Sequence, residues 1–286
     1  MDLSSDTSNV IPAGENASGM SRRGFFKHAT IAGAAGAVAL SGLVSLGGVA
    51  SAQEASERAE AQGLASGDRA ILVAAQIAEA LAVTTYMHII HTAPFFNRLP
   101  EDDQGYLKAA VQEEMSHYML EQDVTDQFTP FSKFFYPAKM FADAHTTLNI
   151  LVTLEDAFIA AYLVGVRNFS TTNLRVTAAR IMGIESDHRT LARVLGSDVA
   201  AKDGGPLKKI TGAQGVAESV DPPNNNGYER TLCWTNINQA VNALLPFVDK
   251  AAAEKAGFST TKSYPFEPFT PVLPNPLGEF ISFKGC

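Results

Sequence analysis

Two four-residue segments share a spacing that could do metal chemistry: Glu114-Met-Ser-His117 and Glu185-Ser-Asp-His188. A Glu and a His three residues apart on a helix share one face, about 5–6 Å from each other. Two more acids stand in apolar surroundings. Glu79 is the sole formally charged side chain between Arg69 and Arg98, and Glu155 and Asp156 are the sole charges between Asp143 and Arg167. Helices this apolar are expected to be buried, and a buried carboxylate without a partner is expensive. Two Glu–His pairs and two single Glu residues on four helices make the ligand set of a two-metal site in a bundle core. The charge balance agrees. Four carboxylates carry four negative charges, which two divalent ions cancel and one does not. Without metal, several carboxylates must keep their protons, so their pKa values must rise. Oxygen donors with imidazole suit iron or manganese, whereas zinc would bind without redox chemistry. A single Glu-x-x-His is more often a solvated surface pair; the alternation over four segments makes this pattern specific.

Four helices must position these residues. The first is expected over Asp68–His91, with Asp68 at the N-cap. The second spans 101–126 and opens on Glu101, Asp102 and Asp103, which suit a positive helix N-terminus. The third runs from about Ala142 to Phe169; after a break at Ser170–Asn173, the fourth reaches about Leu195 and ends at Gly196. The second helix is roughly 39 Å long, and the fifteen residues of 127–141 extend to about 50 Å. That connection can therefore run the length of a bundle and start the third helix parallel to the second. The other two breaks are short and imply antiparallel pairs. Glu79 precedes Tyr86 by seven residues, as Glu155 precedes Tyr162, so the two hairpins read as an internal duplication. Beyond Gly196 comes a loose segment to about 230. An apolar helical stretch follows (Ile237, Val241, Leu244, Leu245, Val248) that Pro246 must kink or break. The Pro- and Phe-rich tail is expected to lie extended over the bundle.

The neighbouring residues have plainer readings. Tyr86 and Tyr162 lie about 10.5 Å along their own helices from Glu79 and Glu155, too far to ligate alongside them. They read as core tyrosines with satisfied hydroxyls, a redox or supporting role being the lesser alternative. Asp156 is expected to pair with a helix end or with Arg167. Asp187 reads as solvated rather than as a support for an imidazole, Glu113 as the exposed neighbour of Glu114, and Gln76 as a possible support for Glu79. His88, His91 and His145 fall toward helix ends, away from the ligand set.

The segments LEDAFIAAY (154–162) and IESDH (184–188), with Glu79 and Glu114-x-x-His117, resemble the ferritin-like superfamily over about residues 68–195. The chain is most similar to exported bacterial ferritin-like proteins related to desiccation-related proteins. The resemblance implies an all-α, ferritin-like four-helix bundle with one long crossover, followed by a C-terminal helix and an irregular tail. It implies Glu79, Glu114, His117, Glu155, Glu185 and His188 as ligands to two Fe or two Mn ions. The bridging pair is Glu114 with Glu155 if the family's asymmetry holds, or Glu114 with Glu185 by pseudo-symmetry. The 196–230 segment and the tail depart from compact ferritins, which argues against a storage cage.

The remaining features bound the setting. A net charge of -8 and a pI near 5.3 argue against a nucleic-acid partner. SRRGFFK (21–27) resembles a twin-arginine export signal. It precedes an Ala/Gly-rich run and a cleavage pattern at Ala50-Ser51-Ala52. The expected organisation is a signal at 1–52, a linker at 53–67, the bundle at 68–195 and an extension at 196–286. The mature chain is then periplasmic or extracellular and meets the membrane only during export. An uncleaved leader, long enough to span a bilayer at about 20 residues, would instead make a membrane-attached electron carrier. Cys233 and Cys286 form either one disulfide or two thiols. Two functions fit: a di-metal oxidoreductase using O2 or peroxide (ferroxidase, peroxidase or catalase-like), or a structural or metal-sequestering stress protein without turnover. Either could form a homo-oligomer.

Overall fold

The computed structural model describes residues 65–125, 133–202 and 232–273. The expected leader, most of the linker, the whole 203–231 stretch, and Cys286 with its possible disulfide lie outside these residues.

Four long helices make the body: α1 (Ser66–Thr92), α2 (Glu101–Val124), α3 (Ala144–Asn168) and α4 (Thr172–Lys202). α1 and α3 are long and apolar enough to cross a membrane, but 89% and 78% of their most apolar stretches are buried inside the bundle. They are its core helices. Burial at nearly every turn of α1 explains why its sequence shows no polar stripe. The cross-bundle contacts give the helix directions. Tyr86 meets Glu155 and Tyr162 meets Glu79, so α1 and α3 run antiparallel. Thr125 reaches back to Gln76, so α1 and α2 do too. α2 and α3 are therefore parallel and need the long crossover. The all-α bundle with one crossover is the architecture expected from the sequence.

The element ends differ from expectation in three places. α1 begins at Ser66, and its N-cap residue is Ala65. Asp68 sits inside the first turn, buried, and accepts hydrogen bonds from the backbone N–H of Ser170 (2.9 Å) and from its hydroxyl. It ties the start of α1 to the α3–α4 turn. α4 does not stop at Gly196 but runs to Lys202; a single Gly lowers helix propensity by about 1 kcal/mol without forbidding helix. α3 starts at Ala144, where the N-cap carboxylate of Asp143 accepts from Thr146 N–H at 2.8 Å.

The crossover and the C-terminal region pack together. Strand β1 (Lys133–Pro137) lies in the crossover and pairs antiparallel with β2 (Phe258–Pro265). This two-stranded ribbon had no clear sequence signal. Between α4 and β2 in sequence come α5 (Ile237–Val248), opened by an Asn236–Gln239 capping box, and the short α6 (Lys250–Lys255). Pro246 is accommodated inside α5, two residues before its end; the break falls at Asp249, whose carboxylate caps α6. Gly257, at φ +77°, makes the turn into β2 in a conformation that suits a residue without Cβ. Phe134, Tyr136, Phe247 and Phe258 fill one core with Leu81, Leu148 and Phe158; the described part of the tail is strand β2, buried at Phe258, followed by irregular chain to residue 273. Tyr136 stacks edge-on against Phe141, Phe247 and Tyr264.

Candidate metal centre

All six sequence-predicted ligand residues meet at the centre of the bundle. Glu79, Glu114, Glu155 and Glu185 are 0–1% exposed, His117 7% and His188 3%. They form two overlapping groups, Glu79–Glu114–His117–Glu185 and Glu114–Glu155–Glu185–His188, with ligand atoms within 4.8 Å of one another in each. Glu114 and Glu185 are common to both. Glu114 turns Oε2 to His117 Nδ1 (3.5 Å) and Oε1 to His188 Nδ1 (3.0 Å). Glu185 does the same, Oε1 to His117 (3.3 Å) and Oε2 to His188 (3.6 Å). Glu79 lies only on the His117 side, with Oε2 at 3.6 Å from Nδ1. Glu114 and Glu185 thus span both groups, and Glu155 belongs to one.

The donor atoms suit metal ions better than one another. Glu79 Oε2, both oxygens of Glu114 and of Glu185, Glu155 Oε2, and Nδ1 of both histidines are buried without a hydrogen-bond partner. Orphaned buried polar atoms in such number are costly unless something else satisfies them. Donors at about 2.1 Å from one ion lie about 3.0–3.4 Å apart in octahedral or tetrahedral geometry, close to the separations seen here. The cluster is compatible with a di-metal site.

Its electrostatics show what protons do without metal. Burial, then the like charges of Glu185 and Glu114, push the Glu79 carboxyl well above the usual range. Burial, Glu114 and Glu185 do the same to Glu155. Burial opposes charge on His117 and His188, yet the surrounding carboxylates, led by Glu79 for one and Glu114 for the other, raise both imidazoles well above their usual value. Burial also works against ionised Glu114, but the His188 charge and its imidazole contacts outweigh that and hold it low. The negative charge is thus offset by protons on the outer acids and the rings, where divalent cations would offset it instead.

Several neighbours were misjudged from sequence. The tyrosine hydroxyls are satisfied as expected, but by the cluster. Tyr86 donates to Glu155 Oε1 at 2.7 Å; Tyr162 donates to Glu79 Oε1 and lies 2.8 Å from Glu121 Oε1. Each tyrosine crosses to the Glu of the opposite hairpin, which spacing along one helix could not reveal. Glu121, 1% exposed, was missed. It lies seven residues after Glu114, and the corresponding place after Glu185 is Ala192, so the duplication offered no hint. Burial drives its carboxyl well above the usual range. Glu121 and Tyr162 also line a small cavity, of about 20 Å³, walled by Ile71, Leu120, Leu174 and Ile181. Glu113 is not an exposed bystander: half-buried, it accepts from His188 Nε2–H at 2.8 Å, and that contact holds its carboxyl below the usual range. Asp156 pairs with buried Arg189 at 3.1 Å. Asp187 is exposed. Gln76 is buried and accepts from Thr125. His88 packs on Phe141 and Tyr264, His145 bonds Asn149 and His91 is exposed, all outside the cluster.

Comparison with known families agrees with this geometry. Residues 67–197 match the family model of the ferritin-like domain. The match and the helix order together support the ferritin-like superfamily for this bundle. No curated protein and no solved structure matches the chain.

Proposed function

We propose that this is a di-metal carboxylate protein of the cell envelope that carries two iron or two manganese ions and reacts with O2 or peroxide. Glu114 and Glu185 would contribute to both ions, Glu79 and His117 to one of them, and Glu155 and His188 to the other. The observation that carries this reading is the split of the two oxygens of Glu114 and of Glu185 between the two imidazoles. When bound, two such ions supply one-electron redox chemistry and positive charge for a developing oxyanion. The chain supplies four carboxylates and neutral nitrogen donors. Tyr86 and Tyr162 orient the outer carboxylates, and helices that leave no ligand residue more than 7% exposed surround the site. Such enclosure suits a small oxidant rather than a bulky organic substrate.

The SRRGFFK leader and the small-residue cleavage pattern support twin-arginine export of the folded protein and cleavage near Ala52. The test is to purify the mature chain from its own host, measure its metals, and follow consumption of O2, peroxide or ferrous ion. About two redox-active ions per chain with consumption supports the proposal. Stoichiometric metal without consumption favours the sequestering, stress-protection alternative, and metal-free folded protein overturns the site. An intact N-terminus by mass spectrometry would replace the exported form with a membrane-anchored one.

A further inference from the structure

The two halves of the centre are alike in their six ligand residues but not in what holds the imidazoles. His188 lies between two consecutive residues of α2. Its Nδ1 faces Glu114 Oε1 at 3.0 Å, and its Nε2–H donates to Glu113 Oε2 at 2.8 Å. The Tyr86 ring meets it edge-on, centroids 5.7 Å apart. Three contacts from two helices therefore fix the ring plane, with Nε2 committed to Glu113 and Nδ1 aimed at the shared carboxylates. Among the described residues, His117 has no such support. The residue that would mirror Glu113, immediately before Glu185, is Ile184. Among the described residues, no carboxylate faces the other nitrogen of His117 and no aromatic ring stacks on it. An anionic acceptor on the far nitrogen of a ligating imidazole orients it and raises its basicity, and losing such a partner typically costs about 10–100-fold in metal affinity.

We infer that the two metal positions are unequal and that Glu113 is the positioning residue that makes the His188 position the tighter one. The inference rests on the di-metal reading above. Its ligand is a divalent first-row ion: the His188 position fills first and keeps its ion, and the His117 position fills second and exchanges.

The test is titration of the metal-free mature chain with Mn2+. Calorimetry reads the heat, and electron paramagnetic resonance reads unbound Mn2+. Wild type is expected to bind two ions in two resolved steps. Glu113→Ala is expected to weaken the tighter step about 10–100-fold and leave the weaker within about 2-fold. Glu113→Gln keeps an acceptor without the charge and is expected to recover part of the loss. Asp187→Ala, at the exposed neighbour of His188, is expected to change neither step. Circular dichroism of each metal-free variant checks folding, and because the Glu113 side chain is 35% exposed its replacement opens no cavity in the core. Two steps of equal affinity in wild type, or a Glu113→Ala effect on the weaker step or on both alike, overturns the inference while the di-metal reading stands. No Mn2+, Fe2+ or Zn2+ uptake at all overturns both.

Discussion

Sharing of Glu114 and Glu185 between the two groups predicts different metal stoichiometries for substitutions that otherwise look alike. Glu79 touches only the His117 group and Glu155 only the His188 group. Glu79→Gln and Glu155→Gln keep side-chain volume and leave an oxygen to accept from Tyr162 or Tyr86. Each should therefore lose one ion of two. Glu114→Ala removes a donor from both groups and should deplete both. Stability follows by linkage. An ion present at about 1,000 times its Kd stabilises the fold by about 4 kcal/mol, and each kcal/mol moves Tm by about 2–4 °C in a domain of this size. With both positions at that saturation, the gain in Tm on adding metal should be about 16–32 °C for wild type, smaller for Glu79→Gln, smaller again for Glu155→Gln, which loses the tighter position, and near zero for Glu114→Ala. The assay is elemental analysis beside thermal denaturation with and without metal. Comparing each variant with its own metal-free form cancels the effect of the substitution on the fold. The reasoning is refuted if Glu114→Ala loses a single ion, or if Glu79→Gln and Glu155→Gln each retain two.

Other expectations concern protons and the supporting pairs. In the metal-free protein, Glu79, Glu121, Glu155, His117 and His188 all have folded-state pKa values raised above their unfolded values. Each therefore adds stability at low pH that is lost as pH rises through its folded value, beginning near the unfolded values of about 4.3 for Glu and about 6.5 for His. Depressed Glu114 acts oppositely, and only as pH falls below its ordinary value. Metal binding displaces protons, so loaded protein gains with pH. Thermal scans between about pH 5 and 8 should show metal-free and loaded curves diverging as pH rises; parallel curves would count against a protonated cluster. Asp156→Ala breaks a buried pair with Arg189 and should cost about 3–5 kcal/mol by urea unfolding, with metal content unchanged. A loss of metal in that variant would place Asp156 in the centre itself.

The sequence made the bundle and its six central residues legible because lone charges in long apolar helices violate a strong rule, and here they did so twice at matching spacing. The parallel placement of α2 and α3 followed from chain length alone. Glu121 and Glu113 escaped for opposite reasons. Glu121 lies in a helix already rich in acids, where one more carries no signal. Glu113 looks solvated until α4 brings His188 against it. The Asp156–Arg189 pair and the crossed tyrosines depend on which helix lies opposite, and periodicity along one helix does not encode that. Asp68 looked like a cap because caps and first-turn acids share the same residue types, and only its bond to Ser170 tells them apart. The β1–β2 pair was hidden because Phe- and Pro-rich segments read equally as irregular chain until both strands are in place.

The central claim is that Glu114 and Glu185 each face two metal ions. Anomalous diffraction from crystals of the protein purified from its own host tests it directly. The account predicts two peaks per chain at the iron or manganese edge, one beside His117 and Glu79 and one beside His188 and Glu155, with both shared carboxylates between them. A single peak, or none with the six side chains in the same positions, would contradict it.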